Sequence, residues 1–400
     1  MKILWVNPNF LHPTTKGGQI RTLQILRHLH RRHEVHYAAL EDTAGSEGSR
    51  RAGEYSTRSY AFPHRVPDKR SVAFLGQVVM GLVSQVPVAV SRFYSPALAR
   101  FVRELIAREH YDRQVCDFLA SVPHFPDLSR TVLFQHNVET VMWRRRAQHT
   151  PNPLGRAFLQ LQAERMYRYE RQACRSAGAV VAVSPVDART MREMFGATRV
   201  YEIPTGVDVD YFTPVRAAPQ VSDLAFVGSM DWAPNIDGVS HFLQEILPRI
   251  HSRRPQATFA IVGRDPPREL LAAAGKDSRV IVTGTVPDVR PYLWGAKVAV
   301  VPLRIGGGTR LKIYECMAAR TPVVSTHVGA EGLDVSHPET IRLADSADQF
   351  AAQCLELLES NTERERITEA AWQLVSSKLS SEYVARRFEE VLEAAGAGIL

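Results

Sequence analysis

The stretch KVAVVPLRIGGGTRLKIYECMAA, residues 297–319, joins a β-branched run to a segment of helical composition through three consecutive glycines. A strand that turns into a helix is the repeating unit of a doubly wound α/β sheet, which binds ligands at its strand ends. Glycines have no Cβ, so a phosphate can approach the backbone N–H groups at a helix start. The stretch therefore predicts a phosphate-binding turn at Gly306, Gly307 and Gly308, with Thr309 as the helix N-cap.

Charged residues follow this turn. Arg310 and Lys312 add positive charge beside the glycines, and Glu315 lies three residues after Lys312 on nearly the same helical face. A diphosphate bound at the glycines would place an attached ribose within reach of the Glu315 carboxylate. The alternative is a helix-capping glycine turn followed by an ordinary Lys312–Glu315 surface pair, because a glycine loop alone is a weak signal.

Strand-like and helical segments alternate along the chain in two rounds. The first round has strand-like runs at 2–7, 33–40, 113–117, 131–135, 178–184 and 198–204, with helical patterns at about 18–31, 95–109 and 154–177. The second round has strand-like runs at 223–228, 257–263, 279–284, 297–303 and 322–326. Such alternation is typical of parallel sheets with helices on both faces.

Two stretches interrupt the alternation. Residues 204–223 contain three prolines and predict an interdomain linker, while the polar residues 43–70 predict an irregular surface excursion. We therefore predict two facing, doubly wound Rossmann-like domains with an interdomain cleft. Their expected ranges are 1–205 and 206–375, and a C-terminal helix at 376–400 is expected to pack back on the first domain.

Composition narrows the choice of partners. The net charge of +7 favours anionic partners such as phosphates, nucleic acid or acidic lipid headgroups. Four scattered cysteines show no metal-ligand spacing, which argues against a disulfide framework and a zinc site. The opening MKILWVNPNF reads as a strand and not as a signal peptide, so we expect a cytoplasmic protein.

Two segments bear on membrane contact. Residues 71–91 carry no charge, but polar residues, glycines and Pro87 interrupt the run, which favours a buried helix or the floor of an apolar acceptor site over a membrane span. Residues 140–176 contain eight arginines and two glutamates. This cationic region predicts peripheral contact with an anionic membrane surface, the alternative being a solvated helical face.

Several segments, in order along the chain, resemble one family. They are residues 1–22, 203–214 (IPTGVDVDYFTP), 226–250 (FVGSMDWAPNIDGVSHFLQEILPRI) and 301–326 (VPLRIGGGTRLKIYECMAARTPVVST). These segments resemble the family-four retaining glycosyltransferases of the GT-B fold, in a bacterial branch associated with exopolysaccharides and other surface glycans. The resemblance covers nearly the whole chain except about 43–95.

The resemblance implies a reaction. A sugar would move, with retention, from a nucleoside-diphosphate sugar to a hydroxyl of a glycan, lipid-linked or small-molecule acceptor, without a metal or other cofactor and without nucleic acid as partner. A front-face mechanism, in which the departing phosphate helps deprotonate the acceptor, fits because no convincing carboxylate nucleophile is evident. The alternatives are a nucleotide-sugar epimerase of the same fold and a non-catalytic nucleotide-sugar-binding protein.

On the donor side, the resemblance assigns roles to single residues. Glu315 matches the glutamate that contacts the ribose hydroxyls, whereas Gly307 stands where the family carries another glutamate. The segment GSMDWAPN, which starts at Gly228, lacks the basic pair that many members have there. Neutralisation of the diphosphate is therefore assigned to Arg310 and Lys312, with Arg264 in reserve.

On the acceptor side, His136 follows the strand-like run 131–135 and matches the family's histidine that helps to position the donor sugar. Glu139 is expected either to orient this imidazole or to cap the next helix. Gly17 and Gly18 match a loop that approaches the donor phosphate or the acceptor, the alternative being a tight turn. Asp117, at another strand end, is a weaker candidate.

One motif suggests a metal. Asp208 and Asp210 form an Asp-x-Asp, but they lie in the predicted linker. Two carboxylates there do not complete the six oxygen ligands that Mg²⁺ prefers, so we predict no metal site.

Overall fold

The computed structural model describes residues 1–14, 17–67, 76, 81–214, 220–305 and 311–397, in two compact units. Unit 1 comprises Met1–Pro204 together with the end of the chain from Val384, and unit 2 comprises Thr205–Tyr383. The first change of unit therefore falls beside the expected boundary at 205/206. The second falls inside a helix, eight residues beyond the expected start of the C-terminal segment at 376.

Unit 1 is built on a parallel sheet. Its described strands are Lys2–Asn7 (β1), Glu34–Glu41 (β2), Arg58–Pro63 (β3), Arg113–Asp117 (β4), Thr131–Phe134 (β5), Ala179–Ala182 (β6) and Val200–Glu202 (β7). They lie in the order β3-β2-β1-β4-β5-β6-β7, and every neighbouring pair is parallel. The central strands are buried along almost their whole length, as expected for a sheet covered on both faces.

Helices cover this sheet. Those described before the second unit are Gly17–Leu29 (α1), Glu47–Arg50 (α2), Val88–Ser91 (α3), Pro96–Arg108 (α4), Glu139–Gln148 (α5), Pro153–Ser176 (α6) and Pro185–Phe195 (α7). Three of them begin with a capping residue followed by proline, at Ser95, Asn152 and Ser184, whose side chains accept backbone N–H groups of the first turn. Proline fits the first helical position because the N–H that it lacks would have no partner there.

The prediction that residues 43–70 are irregular is wrong for much of the stretch. It contains α2, a short 3₁₀ turn at Ala52–Glu54 and β3, which pairs in parallel with β2 at the sheet edge. None of the residues of β3 is fully buried, so the strand shows little of the apolar pattern that identifies an interior strand.

Unit 2 repeats the plan. Its described strands are Ser222–Val227 (β8), Phe259–Val262 (β9), Val280–Gly284 (β10), Ala296–Val301 (β11), Val323–Ser325 (β12) and Arg342–Leu343 (β13). They lie in the order β10-β9-β8-β11-β12-β13, again all parallel. The predicted pair of doubly wound α/β domains is thus confirmed. The sequence pattern did not indicate β13, which is only two residues long.

The remaining described helices belong mostly to unit 2. They are Val209–Phe212 (α8), Ala233–His241 (α9), Leu247–Arg253 (α10), Arg268–Ala274 (α11), Arg290–Trp294 (α12), Leu311–Ala318 (α13), Ala347–Glu359 (α14), Asn361–Lys378 (α15) and Ser381–Ala397 (α16), with a π turn at Phe242–Ile246 between α9 and α10. None of the helices in the described ranges is both long and apolar enough to cross a membrane. Nine of the twenty-one residues of the uncharged stretch 71–91, at 71–75 and 77–80, lie outside those ranges.

The predicted linker at 204–223 is largely part of a domain. Val209 and Phe212 of α8 are buried in the hydrophobic core of unit 2, and β8 already begins at Ser222. Residues 215–219 lie outside the described part. The prediction was wrong here because one short helical turn is too brief to show a helical period.

The last helix contributes to the core of unit 1. Val384, Phe388 and Leu392 of α16 are buried in the same cluster as Trp5 and Phe134. The ring centroids of Phe388 lie 5.4 Å from Trp5 and 5.1 Å from Phe134, within the range of favourable aromatic pairs. These contacts fix α16 beneath β1 and β5, whose carboxyl ends carry the first candidate site.

Candidate functional site

The strand order of unit 1 reverses at β1, which has β2 on one side and β4 on the other. Doubly wound sheets bind ligands beyond the carboxyl ends of the strands at this reversal. There β1 ends with Asn7, β4 ends with Asp117, and β5 is followed by Gln135 and His136. These residues and their neighbours form the candidate site of unit 1.

Asp117 is the centre of a buried hydrogen-bond network. Its Oδ2 accepts from Trp5 Nε1 at 2.9 Å, from Asn7 Nδ2 at 2.7 Å and from Thr22 Oγ1 at 2.8 Å, and its Oδ1 lies 2.6 Å from His136 Nε2. The side chain is fully buried. Four partners meet the hydrogen-bonding requirement of a carboxylate that has no access to water.

His136 is held from both sides. An Arg21 guanidinium nitrogen lies 2.8 Å from Nδ1, and since guanidinium can only donate, Nδ1 accepts. Nε2 therefore carries the proton and donates to Asp117. Burial lowers the pKa of His136, although the Asp117 carboxylate acts in the opposite direction, so the ring is neutral. Because this network engages both ring nitrogens, it suits His136 to a positioning role and not to proton transfer.

Phe118 and Gly18 complete the surroundings of this imidazole. The Phe118 ring stacks on His136, with centroids 3.9 Å apart and planes 15° from parallel. Phe118 has φ of 64°, a left-handed conformation that costs a non-glycine residue roughly 1–3 kcal/mol. A Cβ on Gly18 would lie 2.5 Å from Phe118 Cζ, so this position has no room for a side chain. Gly17, the first residue of α1, is exposed.

Glu170, in α6, caps the neighbouring helix α5. Its Oε1 accepts from the Glu139 backbone N–H at 3.0 Å, and its Oε2 accepts from the Thr140 N–H at 2.8 Å and from Thr140 Oγ1 at 2.6 Å. Burial raises the pKa of Glu170 to about 7. Neither role expected of the Glu139 carboxylate is therefore needed, because Glu170 caps the helix while Asp117 and Arg21 orient His136.

A cavity of about 300 Å³ opens beside this network. Gly18, Phe118, His136 and Glu139 line it, together with apolar side chains from α3, α6 and the 3₁₀ turn Leu119–His124. Burial raises the pKa of the Glu139 carboxyl, which receives a hydrogen bond from the Trp143 side chain.

The second candidate site lies at the matching reversal of unit 2, where β8 has β9 on one side and β11 on the other. Gly228 follows β8 and Gly263 follows β9. A Cβ on Gly263 would lie 1.8 Å from the Gly228 carbonyl oxygen, so the two backbones meet without space for a side chain. A Cβ on Gly228 would lie 2.5 Å from Lys312 Nζ, so this glycine makes room for the ammonium group.

Lys312 reaches towards the end of β8. Its Nζ donates to Asn235 Oδ1 at 2.9 Å and lies 4.3 Å from the centroid of the Phe226 ring, a cation–π distance. Asn235 is buried near the start of α9 and donates to the Ser229 carbonyl at 2.7 Å. The first turn of α13 thus delivers a positive charge to the strand end where the sequence lacks the expected basic pair.

Glu315 lies one turn further along α13. Burial raises the pKa of Glu315 to about 7, and the charge of Lys312 acts in the opposite direction. At neutral pH the group is therefore shared between the carboxyl and carboxylate forms. A carboxyl group of this kind can both donate and accept hydrogen bonds.

The other predicted donor-side residues have different outcomes. Gly306, Gly307, Gly308, Thr309 and Arg310 lie outside the described residues. Arg264, which follows Gly263 at the end of β9, donates to Ser229 Oγ at 2.8 Å and to the Asp231 carboxylate at 3.1 Å. It therefore lies against the loop that follows Gly228.

Asp208, half of the Asp-x-Asp, is an N-cap. Its carboxylate accepts from the Tyr211 N–H at 3.0 Å and thereby starts α8. Among the residues that the structure describes, no group of three His, Cys, Asp or Glu side chains is placed to hold a metal ion.

Sequence reasoning missed several residues of these sites, among them Arg21, Phe118, Glu170 and Asn235. Arg21 carried a signal, since a charged residue on the apolar face of α1 has to find a partner inside the protein. Glu170 carried a similar signal, because it is an acidic residue on the buried face of α6. Phe118 and Asn235 carried no signal, because their roles depend on a backbone conformation and on a distant lysine.

Comparison with known proteins defines the class. Residues 15–211 match the family model described as "Glycosyltransferase Family 4", and residues 222–360 match the one described as "Glycosyl transferases group 1". Over most of its length the chain is therefore similar in sequence to glycosyltransferases of family four and group 1.

Particular relatives are more distant. Over 220 residues the chain is 30% identical to a phosphatidyl-myo-inositol mannosyltransferase of Mycolicibacterium smegmatis, which covers 51% of this chain and 56% of that protein. Over 253 residues it is 25% identical to a GDP-mannose-dependent monoacylated alpha-(1-6)-phosphatidylinositol monomannoside mannosyltransferase of Corynebacterium glutamicum, covering 56% and 65%. The chain thus spans less than two thirds of the length of either relative.

Solved structures share the fold along the whole chain. A sucrose-phosphate synthase of Thermosynechococcus elongatus has a TM-score of 0.71 at 17% identity, with both chains covered completely. HepE of Anabaena, in complex with UDP, has a TM-score of 0.68 at 15% identity and covers 98% of this chain and 100% of its own. At these identities the likeness concerns the fold.

Proposed function

We propose that this chain is a retaining glycosyltransferase that moves a sugar from a nucleoside-diphosphate sugar to an acceptor hydroxyl in bacterial polysaccharide or glycoconjugate synthesis. Unit 2 binds the donor and unit 1 binds the acceptor. The observation that carries the proposal is the Lys312 ammonium, which Asn235 and Phe226 hold beside Gly228 at the strand-order reversal of unit 2. The relatives named as mannosyltransferases and the UDP complex of HepE support it.

In this proposal the donor diphosphate lies at the end of β8. Gly228 presents bare backbone there, and Lys312 supplies a cation that is already fixed in place, so little ordering is needed when the phosphate binds. Glu315 on the same helix binds the ribose hydroxyls. Arg310 is a second cation for the diphosphate, and the helix start at the glycine run remains the proposed phosphate turn.

The reaction follows the front-face course. The acceptor oxygen bonds to the anomeric carbon on the side from which the diphosphate oxygen leaves. As the bond between the anomeric carbon and the diphosphate oxygen breaks, the diphosphate oxygen takes the proton of the acceptor hydroxyl. Lys312 stabilises the charge that develops on the leaving group. His136, neutral and fixed by Asp117 and Arg21, positions the donor sugar.

Peripheral membrane contact is part of the proposal for unit 1. Arg168, Arg171 and Arg175 are exposed on α6, and Leu154, near the start of the same helix, is 83% exposed. Exposed cations on a helix that also exposes an apolar side chain near its other end suit an anionic lipid surface. Co-sedimentation with liposomes that is unaffected by anionic lipid or by salt would contradict this contact.

Nucleotide release tests the transfer itself. Purified protein is incubated with nucleotide-sugars and acceptor-rich membranes, and released nucleotide is compared between wild type, His136→Ala and Glu315→Ala. We expect acceptor-dependent release by wild type and a loss of at least tenfold in each variant. Donor binding without any release would point to a non-catalytic binding protein, and an epimer formed without acceptor would point to an epimerase.

A further inference from the structure

The cavity of unit 1 has a chemical character that the proposed function leaves open. Its volume of about 300 Å³ is at the lower end of small-molecule sites, so it suits a single ring with its substituents. Most of its wall is apolar. The apolar side chains come from α3 and the residues just after it, from the turn after β4 and from α6: Ala89, Val90, Phe93, Leu119, Ala120 and Met166.

Charge in this wall is negative or neutral. None of the described residues that line the cavity is Lys or Arg, and the ionisable ones are His136 and Glu139. His136 is neutral, and its Nε2–H donates a hydrogen bond to Asp117. Among these described lining residues, a phosphate would find no cation to replace its water, which is costly for a buried charge.

Other residues fill the two roles that the sequence suggested for Glu139. Glu170 accepts the Glu139 and Thr140 N–H groups at the start of α5, and Asp117 and Arg21 satisfy His136. The Glu139 carboxyl lines the cavity, with the Trp143 side chain as its hydrogen-bond donor. A carboxyl group has more acceptor positions than one donor fills, so Glu139 can still accept a hydrogen bond from a hydroxyl in the cavity.

We propose that this cavity is the acceptor subsite for an uncharged hydroxyl compound with an apolar ring, whose ring lies among the apolar side chains while Glu139 accepts a hydrogen bond from its hydroxyl. The inference rests on the proposed function only in taking unit 1 as the acceptor side. The acceptor group that enters this cavity is therefore uncharged, and a phosphate group of the acceptor would have to lie elsewhere.

Binding of simple probes tests the subsite without any donor. Phenyl β-glucoside is expected to raise the melting temperature of wild-type protein at millimolar concentration, methyl β-glucoside to bind at least tenfold more weakly, and phenyl phosphate to give no shift. No shift with phenyl β-glucoside would overturn the inference, as would equal affinity for the phenyl and methyl glucosides, or for phenyl phosphate.

Variants locate the probe. Ala89→Trp fills the cavity and should abolish the response to phenyl β-glucoside, whereas Ala107→Trp, on the exposed face of α4, should preserve it. Glu139→Ala should weaken probe binding about tenfold, and Glu104→Ala, an exposed glutamate of α4, should not. Stabilisation by UDP reports on unit 2 and shows that each variant is folded. A response that survives Ala89→Trp overturns the inference, while loss of UDP binding in wild type would count against the proposed function alone.

Discussion

The two candidate sites occupy the same place in two similar sheets, but they treat charge in opposite ways. In unit 1, the Asp117 carboxylate is buried and its partners include Trp5, Thr22 and His136. In unit 2, Lys312 donates to the Asn235 amide, lies over the Phe226 ring and interacts electrostatically with Glu315. Unit 1 therefore buries a carboxylate within a hydrogen-bond network, whereas unit 2 places a cation at a strand end, where the proposed function assigns it to the donor diphosphate.

Removing the centre of the buried network is the strongest test of this contrast. Asp117→Ala removes four hydrogen bonds and a negative charge that stabilises the buried Arg21 guanidinium. Burial already lowers the pKa of Arg21 to about 10, and the Asp117 charge acts in the opposite direction. Breaking such a buried charge arrangement costs roughly 3–5 kcal/mol. We expect a large fall in the melting temperature of the apoprotein, measured by calorimetry.

The control for this variant is Asp42→Ala, which changes an exposed aspartate of the same unit. It should leave the melting temperature nearly unchanged. If the two variants were equally stable, Asp117 would not hold unit 1 together, and the assignment of His136 as a residue fixed by its network would fail.

The backbone contact of unit 2 gives the next largest effect. Gly263→Ala would place a Cβ 1.8 Å from the Gly228 carbonyl oxygen, so the ends of β8 and β9 must separate. Overpacking of this kind costs roughly 2–3 kcal/mol. We expect lower thermal stability together with weaker UDP binding, because the shift moves Gly228 away from Lys312.

A matched glycine separates strain from a general effect of alanine. Gly275→Ala, in the same unit, would bring its Cβ no closer than 3.4 Å to a neighbouring atom, which is ordinary contact. Its stability and UDP affinity should match those of wild type. Wild-type behaviour of Gly263→Ala would show that the strand ends are not locked together.

Sequence predicted the sheets better than the sites, for physical reasons. The interior strand β1 is buried along almost its whole length and was found at its observed bounds, whereas the edge strand β3, with no fully buried residue, was missed. The strand-end positions of His136 and Gly228 could be predicted, because the family resemblance identified them and the fold class places ligands at such ends.

Partners of those residues could not be predicted. The hydrogen bond from Lys312 to Asn235 joins positions 77 residues apart, and the one from Arg21 to His136 joins positions 115 apart. Spacing suggested a local Lys312–Glu315 pair because residues three apart are neighbours on a helix. Tertiary packing supplied the more distant amide, and no pattern within one helix contains that information.

If the Lys312 charge serves to bind the diphosphate, its removal should weaken ligand binding more than it lowers the stability of the protein. Lys312→Ala removes one charge-assisted contact to the proposed diphosphate, worth roughly 1.5–2 kcal/mol at a partly exposed site, or about ten- to thirtyfold in the dissociation constant. Titration calorimetry with UDP measures this loss. Lys276→Ala, an exposed lysine of unit 2, is the control and should bind as wild type does. Unchanged affinity in Lys312→Ala would return Lys312 to a packing role.

The smallest effect concerns Glu315, and its sign depends on pH. Burial raises the folded-state pKa of Glu315 to about 7 from an ordinary value of 4.5, so the folded state binds the proton more tightly than the unfolded state. Stability from this group is therefore greatest below pH 4.5 and is lost as the pH rises through 7.

Glu315→Gln cannot ionise and escapes the loss, which we expect to be roughly 1 kcal/mol for a partly exposed group. The melting temperature of Glu315→Gln relative to wild type should accordingly rise between pH 5 and pH 8, measured by calorimetry without nucleotide. If this difference in melting temperature stayed constant or fell, Glu315 would ionise at little cost in the folded protein. Unit 2 would then already stabilise the Glu315 carboxylate, much as unit 1 stabilises Asp117.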